Sequence, residues 1–82
     1  MEETDKYSQN NINQMLIKIA NKLKELRIQK GYSSHEAFAW DNNLNRVQYW
    51  RIEKGTNITL KTLITVLNIH KISLSAFFKD ID

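Results

Sequence analysis

Eighty-two residues with no proline and only two glycines, Gly31 and Gly55, leave little material for tight turns. All-β domains need many such turns and draw on Gly and Pro to make them. The scarcity points to an all-α chain, with helices joined by a few short loops. An apolar fraction of 41% supplies one small core and not two, so a single domain is expected.

Composition excludes several classes of function. The chain has no cysteine, which removes a disulfide framework and any Cys-ligated zinc or iron–sulfur site. His35 and His70 lie far apart and without paired ligand spacing, so no metal and no other cofactor is expected. There is no cysteine nucleophile, no His–carboxylate pair at local spacing and no glycine-rich phosphate loop. Neither an enzyme nor a small-molecule substrate is expected. No stretch approaches the ~18 consecutive apolar residues of a membrane span. The first residues are acidic and polar, the reverse of a secretory signal. A cytoplasmic, nucleoid-associated protein fits these features.

The net charge of +3 is a mild basic bias until it is divided by segment. Residues 1–11 carry Glu2, Glu3, Asp5 and Lys6, and are read as a flexible polar arm. Residues 80–82 form an acidic tail. Between them, residues 12–79 hold eleven basic and four acidic side chains, a net +7, and constitute the expected folded domain. A basic unit of this kind suits an anionic partner.

Periodicity and caps divide that domain into five helices. Ile12, Leu16, Ile19, Ala20, Leu23 and Leu26 recur at steps of three and four, one face of a helix with Asn11 or Asn13 as its cap. Lys30 and Gly31 supply the stop. Ile17 and Ile28 fall off this stripe; they either cover a neighbouring loop or mark a partner surface. A second helix begins at Ser33 or Ser34, with Ser33 and Glu36 spaced as a capping box. Phe38 and Ala39 give it an apolar face, and Asn43 takes the left-handed turn that follows. Asn45 caps the third helix, with Gln48 three residues on; Tyr49 and Ile52 point inward, and Gly55 ends it. Thr59 caps a fourth helix whose apolar side holds Leu60, Leu63, Ile64, Val66 and Leu67. Ser73 caps a short fifth helix carrying Leu74, Phe77 and Phe78. Tyr49 is expected in the core with its hydroxyl reaching out, and His70 as a half-buried core residue.

Residues 33–55 carry the functional signal: a short helix, a tight turn, then a helix with a polar outer face. In a helix-turn-helix the second of these helices buries one side and presents the other to the DNA major groove. Opposite Tyr49 and Ile52 lie Arg46, Val47, Trp50 and Arg51, with Gln48 on the flank. Arg matches the guanine O6/N7 edge, Gln can pair with adenine, and an apolar group can meet the thymine methyl. These five are the candidate base readers. Trp50 can alternatively stack on a sugar–phosphate or pack on the loop after Gly55.

At this point the sequence resembles the Cro/cI-like (XRE) helix-turn-helix regulators over residues 23–78. The matching pieces are Leu26-Arg27 with Gly31, the Phe38-Ala39 pair, Leu44, the Ile52-Glu53-Lys54-Gly55 close of the third helix, Leu60 and Leu63, and Ile72-Ser73-Leu74. Asn43 stands where the family has a turn glycine, Asn42 where it has a buried leucine, and Lys71 where a glycine is frequent. One extra residue falls within residues 32–34, and His35 occupies the usual glutamine position. The resemblance implies a compact five-helix, lambda-repressor-like domain. It pairs Arg27 with Glu53 as a structural ion pair between the first and third helices. It places Lys54 and Lys61 beside a loop that contacts phosphates in this fold, and His35 and Asn45 complete the candidate phosphate contacts.

The expected function is sequence-specific binding of double-stranded DNA by a small transcriptional regulator of repressor or controller type. One helix reads only a few base pairs, so a homodimer is expected. Its interface would use Ile69, Phe77 or Phe78, or the Ile17 side of the first helix. The reading from another class is a protein-interaction module or antitoxin subunit that keeps the fold with little or no DNA reading of its own.

Overall fold

The computed structural model describes residues 8–79 and Ile81. The expected arm up to residue 7, and Asp80 and Asp82 of the expected tail, lie outside the described residues. Among the described residues five helices follow one another: α1 Gln9–Gln29, α2 His35–Asp41, α3 Arg46–Glu53, α4 Leu60–Ile69 and α5 Leu74–Phe78. The described residues contain no strand.

Side-chain caps fix the helix starts. The hydroxyls of Ser34, Thr59 and Ser73 and the Asn45 Oδ1 each accept a backbone N–H from the first turn of the helix that follows. The start of α1 differs from the sequence reading, and that of α2 falls on one of its two alternatives. α1 begins at Gln9, because Ser8 caps it by accepting the Asn11 N–H. A side-chain bond from Gln9 to Asn13, 3.0 Å, then supports a first turn that buries nothing. The helix therefore runs ahead of its apolar stripe, and Ile12 stays 45% exposed. In α2 the cap is Ser34, whose extended backbone lets its hydroxyl accept from both Glu36 and Ala37. Of the two starts open to α2, the chain takes Ser34, and the Ser33–Glu36 capping box does not form.

Turn geometry explains how so few glycines suffice. Asn43 adopts φ 59° and Lys71 φ 57°, the left-handed region that favours glycine. Asn42, in the position of the family's buried leucine, turns its amide back to donate to the Phe38 carbonyl at 2.8 Å. Leu44 still packs against the core. Gly55 is a true glycine site: its φ is 90°, and a Cβ there would meet Ile17 Cγ1 at 3.0 Å. Ile17 therefore covers the loop after α3, although half of it remains exposed.

Leu23 of α1, Phe38 and Ala39 of α2, Tyr49 and Ile52 of α3, and Val66 and Leu67 of α4 form the heart of the core. Phe77 is fully buried among them, which removes it from the expected dimer surface. Its ring meets Phe78 edge-on and lies under the Lys22 ammonium. Leu60 and Ile64, expected on the inner side of α4, are instead 63% and 38% exposed. They sit four residues apart, so they form an outer apolar strip beside the buried Leu63–Leu67 stripe.

Besides the buried Arg27, two side chains bring polar groups against the core among the described residues. His70 stacks on Phe38, rings nearly parallel at 5.2 Å, and burial plus the Lys30 charge push its pKa below the ordinary histidine value. The Tyr49 hydroxyl does not reach out as expected. It is buried beside Glu53 and Arg27, without hydrogen-bond geometry to a partner among the described residues. Burial first, and the nearby Glu53 second, push this phenol far above its usual range.

Candidate nucleic-acid interface

α2, the turn of residues 42–45 and α3 form a helix-turn-helix. The Ala39 carbonyl accepts the Leu44 N–H at 2.9 Å and closes the turn. Phe38 and Tyr49, rings 5.1 Å apart, seal the two helices together. Ala39, with no side chain beyond Cβ, is fully buried at this close approach.

α3 is amphipathic as the spacing requires. Tyr49 and Ile52 are buried, while Arg46, Val47, Gln48, Trp50 and Arg51 are all exposed. All five candidate base readers therefore lie on one accessible helix surface. His35, half-buried at the start of α2, joins Arg46, Val47 and Trp50 around a shared concavity. Gln48 and Arg51 line a second cleft with the loop after α3. Thr56 braces that loop, donating both its N–H and its hydroxyl to the Arg51 carbonyl.

The candidate phosphate contacts are spread around this surface. Asn45, an exposed residue, spends its Oδ1 on the α3 cap, accepting the Gln48 N–H at 2.8 Å. Its amide N–H groups are donors not used by that cap. Lys54, exposed at the end of α3, places Nζ over the Trp50 ring at 5.4 Å. Trp50 therefore lies under a cation at the C-terminal end of its own helix. Lys61 is exposed in the first turn of α4.

Arg27 and Glu53 meet behind the exposed face of α3. Arg27 Nε and Nη2 donate to the two Glu53 carboxylate oxygens at 2.8 and 3.1 Å, and Nη1 donates to the Tyr32 carbonyl at 2.7 Å. The two side chains are only 5% and 8% exposed. The Glu53 hydrogen bonds hold the Arg27 pKa above its ordinary value against the opposing effect of burial. The pair ties the last residue of α3 to α1, and so fixes how far α3 projects.

Two residues of this face escape the sequence reading. Glu36 sits beside Arg46, its Oε2 3.4 Å from Arg46 Nη1. Its capping-box spacing suggested a purely local role. Trp40 is 84% exposed on the outer side of α2. The signal for Trp40 was present: two residues past buried Phe38, it falls about 200° around the helix. No group of three or more His, Asp or Glu side chains among the described residues is placed to hold a metal ion. No helix among them is long and apolar enough to cross a membrane.

This architecture defines a small all-helical domain built around a helix-turn-helix. No family model matches the chain, and no solved structure matches it. Control protein C.MunI of Mycoplasma sp is 38% identical over 77 residues, covering 87% of this chain and 97% of that protein. The chain belongs to the family of that control protein, a family of small helix-turn-helix regulators.

Proposed function

We propose that the protein is a sequence-specific DNA-binding regulator of the Cro/cI-like kind, with α3 lying in the major groove. The observation that carries this reading is the surface of α3. Five side chains able to meet base edges are exposed on one short helix, while its other side is anchored by Tyr49, Ile52 and the Glu53–Arg27 pair. The net +7 of residues 12–79 supplies the attraction to phosphate. His35, Asn45, Lys54 and Lys61 are the proposed phosphate contacts, and kinship with a control protein supports a regulatory role.

A homodimer belongs to the proposal, because one helix reads too few base pairs to define a site. Half-sites then lie about one helical turn apart, roughly 34 Å. With Phe77 buried, the exposed apolar side chains available for the contact include Leu60, Ile64 and Phe78, or alternatively the Ile17 side of α1. A controller of a restriction–modification or phage-like system, working in the cytoplasm on the nucleoid, is the role that fits these features. The exposed indole of Trp40 favours the second reading, a protein-interaction module or antitoxin subunit on the same fold.

Salt separates the two readings. Binding to random-sequence duplex DNA should weaken with a log–log slope of about −0.9 per neutralised phosphate. Absence of detectable binding at ~50 mM salt defeats the DNA-binding reading and leaves the interaction module.

A further inference from the structure

We infer that Glu36 is a specificity-determining residue: its carboxylate holds the Arg46 guanidinium for one base edge and penalises binding where no such base is present. The inference rests on the DNA-binding reading above and deepens it by naming how one of the base readers is tuned.

Arg46 and Glu36 project from the first turns of α3 and α2, and their charged ends meet at 3.4 Å on the concave face lined by His35, Val47 and Trp50. Both side chains are largely exposed, 66% and 59%, so the contact is not needed to hold the helices together. The core contacts between Phe38 and Tyr49 do that. A carboxylate on a face meant for phosphate is unfavourable in itself, and it is one of only four acidic side chains in residues 12–79.

Guanidinium geometry gives that carboxylate a use. Arg carries five N–H donors, and a bidentate pair with guanine takes two of them. A donor is left over for Glu36, so the pair and the base contact can coexist. Held from one side, a long flexible side chain presents its remaining donors in fewer directions. On DNA lacking the right base, Arg46 turns instead to a phosphate and leaves Glu36 facing the backbone unneutralised. Repulsion then falls on the wrong sequences more than on the right one.

The test is selection from a randomised duplex library with wild type, Glu36→Gln, Arg46→Ala and the double variant. Removing the Glu36 charge should tighten binding to random-sequence duplex by about threefold, the effect of one like charge a few ångströms from phosphate in water. It should also lower discrimination by about tenfold at a single base pair, the one at which Arg46→Ala loses its preference. In the Arg46→Ala background, Glu36→Gln should change no base preference. Unchanged discrimination, a loss spread evenly over the site, or a loss at a different base pair overturns the inference. If wild type itself enriches no sequence, the DNA-reading function fails before this pair is at issue. All four proteins should melt alike, since neither side chain is buried.

Discussion

The helix that carries the candidate readers has an arginine–glutamate pair at each end, and the two pairs differ in everything but chemistry. Arg46, the first residue of α3, meets Glu36 at 3.4 Å with both side chains in solvent. Glu53, the last residue, is gripped by Arg27 at 2.8 and 3.1 Å and nearly lost from solvent. Each opposes the helix dipole, with a cation at the N-terminus and an anion at the C-terminus, a placement that costs about 0.3–1 kcal/mol per charge. Neither is explained by α3 alone. The buried pair sets where the helix sits; the exposed pair leaves a charged group free to change partner. Burial decides which role a salt bridge takes, because only a desolvated charge is expensive to strand.

The largest expected effect comes from breaking the buried pair. Arg27→Ala removes both bonds to Glu53 and the bond to the Tyr32 carbonyl, and leaves a carboxylate buried beside the Tyr49 hydroxyl. A loss of about 3–5 kcal/mol is expected. That is much of the ~5–15 kcal/mol available to a typical domain. Urea unfolding followed by circular dichroism measures it. A loss under about 1 kcal/mol would place this pair with ordinary surface bridges and erase the contrast between the two ends of α3.

The middle of α3 sharpens the exposed side of the comparison. Arg51→Ala should cost about 1–3 kcal/mol of binding, concentrated at one base pair. Lys54→Ala should weaken all sequences alike and release Trp50 from the cation above it. Binding of both variants to an operator library distinguishes a base reader from a phosphate anchor. Identical profiles would refute that division.

Local signals in the sequence located most of this architecture. Caps at Asn45, Thr59 and Ser73, and Asn43 as a left-handed turn residue, are decisions made within a few residues of chain, and periodicity reports the inner face of α3 directly. What was not legible depends on how helices meet. With Ser34 rather than Ser33 as the α2 cap, Glu36 takes the second helical position, and its carboxylate lies near Arg46 across the turn. That contact needs the angle between α2 and α3, which no single-helix pattern contains. Phe77 and Phe78 are adjacent and chemically identical, yet one is buried and the other is not, a choice made by α1 and α4 rather than by α5. Leu60 and Ile64 fit a helical apolar face, but the core is narrower than that face.

A smaller break of the buried region is available through pH. His70 has no hydrogen-bond partner for its buried Nε2 among the described residues, and its pKa lies below the ordinary value of 6.5 because burial disfavours the imidazolium and Lys30 repels it. The folded state thus binds the proton less well than the unfolded chain. The contribution of this neutral ring is complete above pH 6.5 and is lost as pH falls through the lower folded-state value. Urea midpoints should therefore decline on acidification more steeply for wild type than for His70→Leu. Parallel curves would show that the ring against Phe38 is already solvated.

The smallest effect is expected at the exposed pair. Glu36→Gln should change folding stability by no more than about 0.5 kcal/mol, because both groups keep their hydration and any attraction between them is screened. The same substitution at Glu53 leaves the Arg27 guanidinium buried without its counter-charge, so the two glutamate-to-glutamine variants form a matched pair that differs only in environment. Raising the salt concentration should abolish what little Glu36 contributes while sparing most of the Glu53 effect, which lies out of reach of mobile ions. A large loss on Glu36→Gln would mean that this contact helps to hold α2 against α3. Arg46 would then not be free to leave it for a phosphate, and the structural and recognition roles assigned to the two ends of α3 would merge.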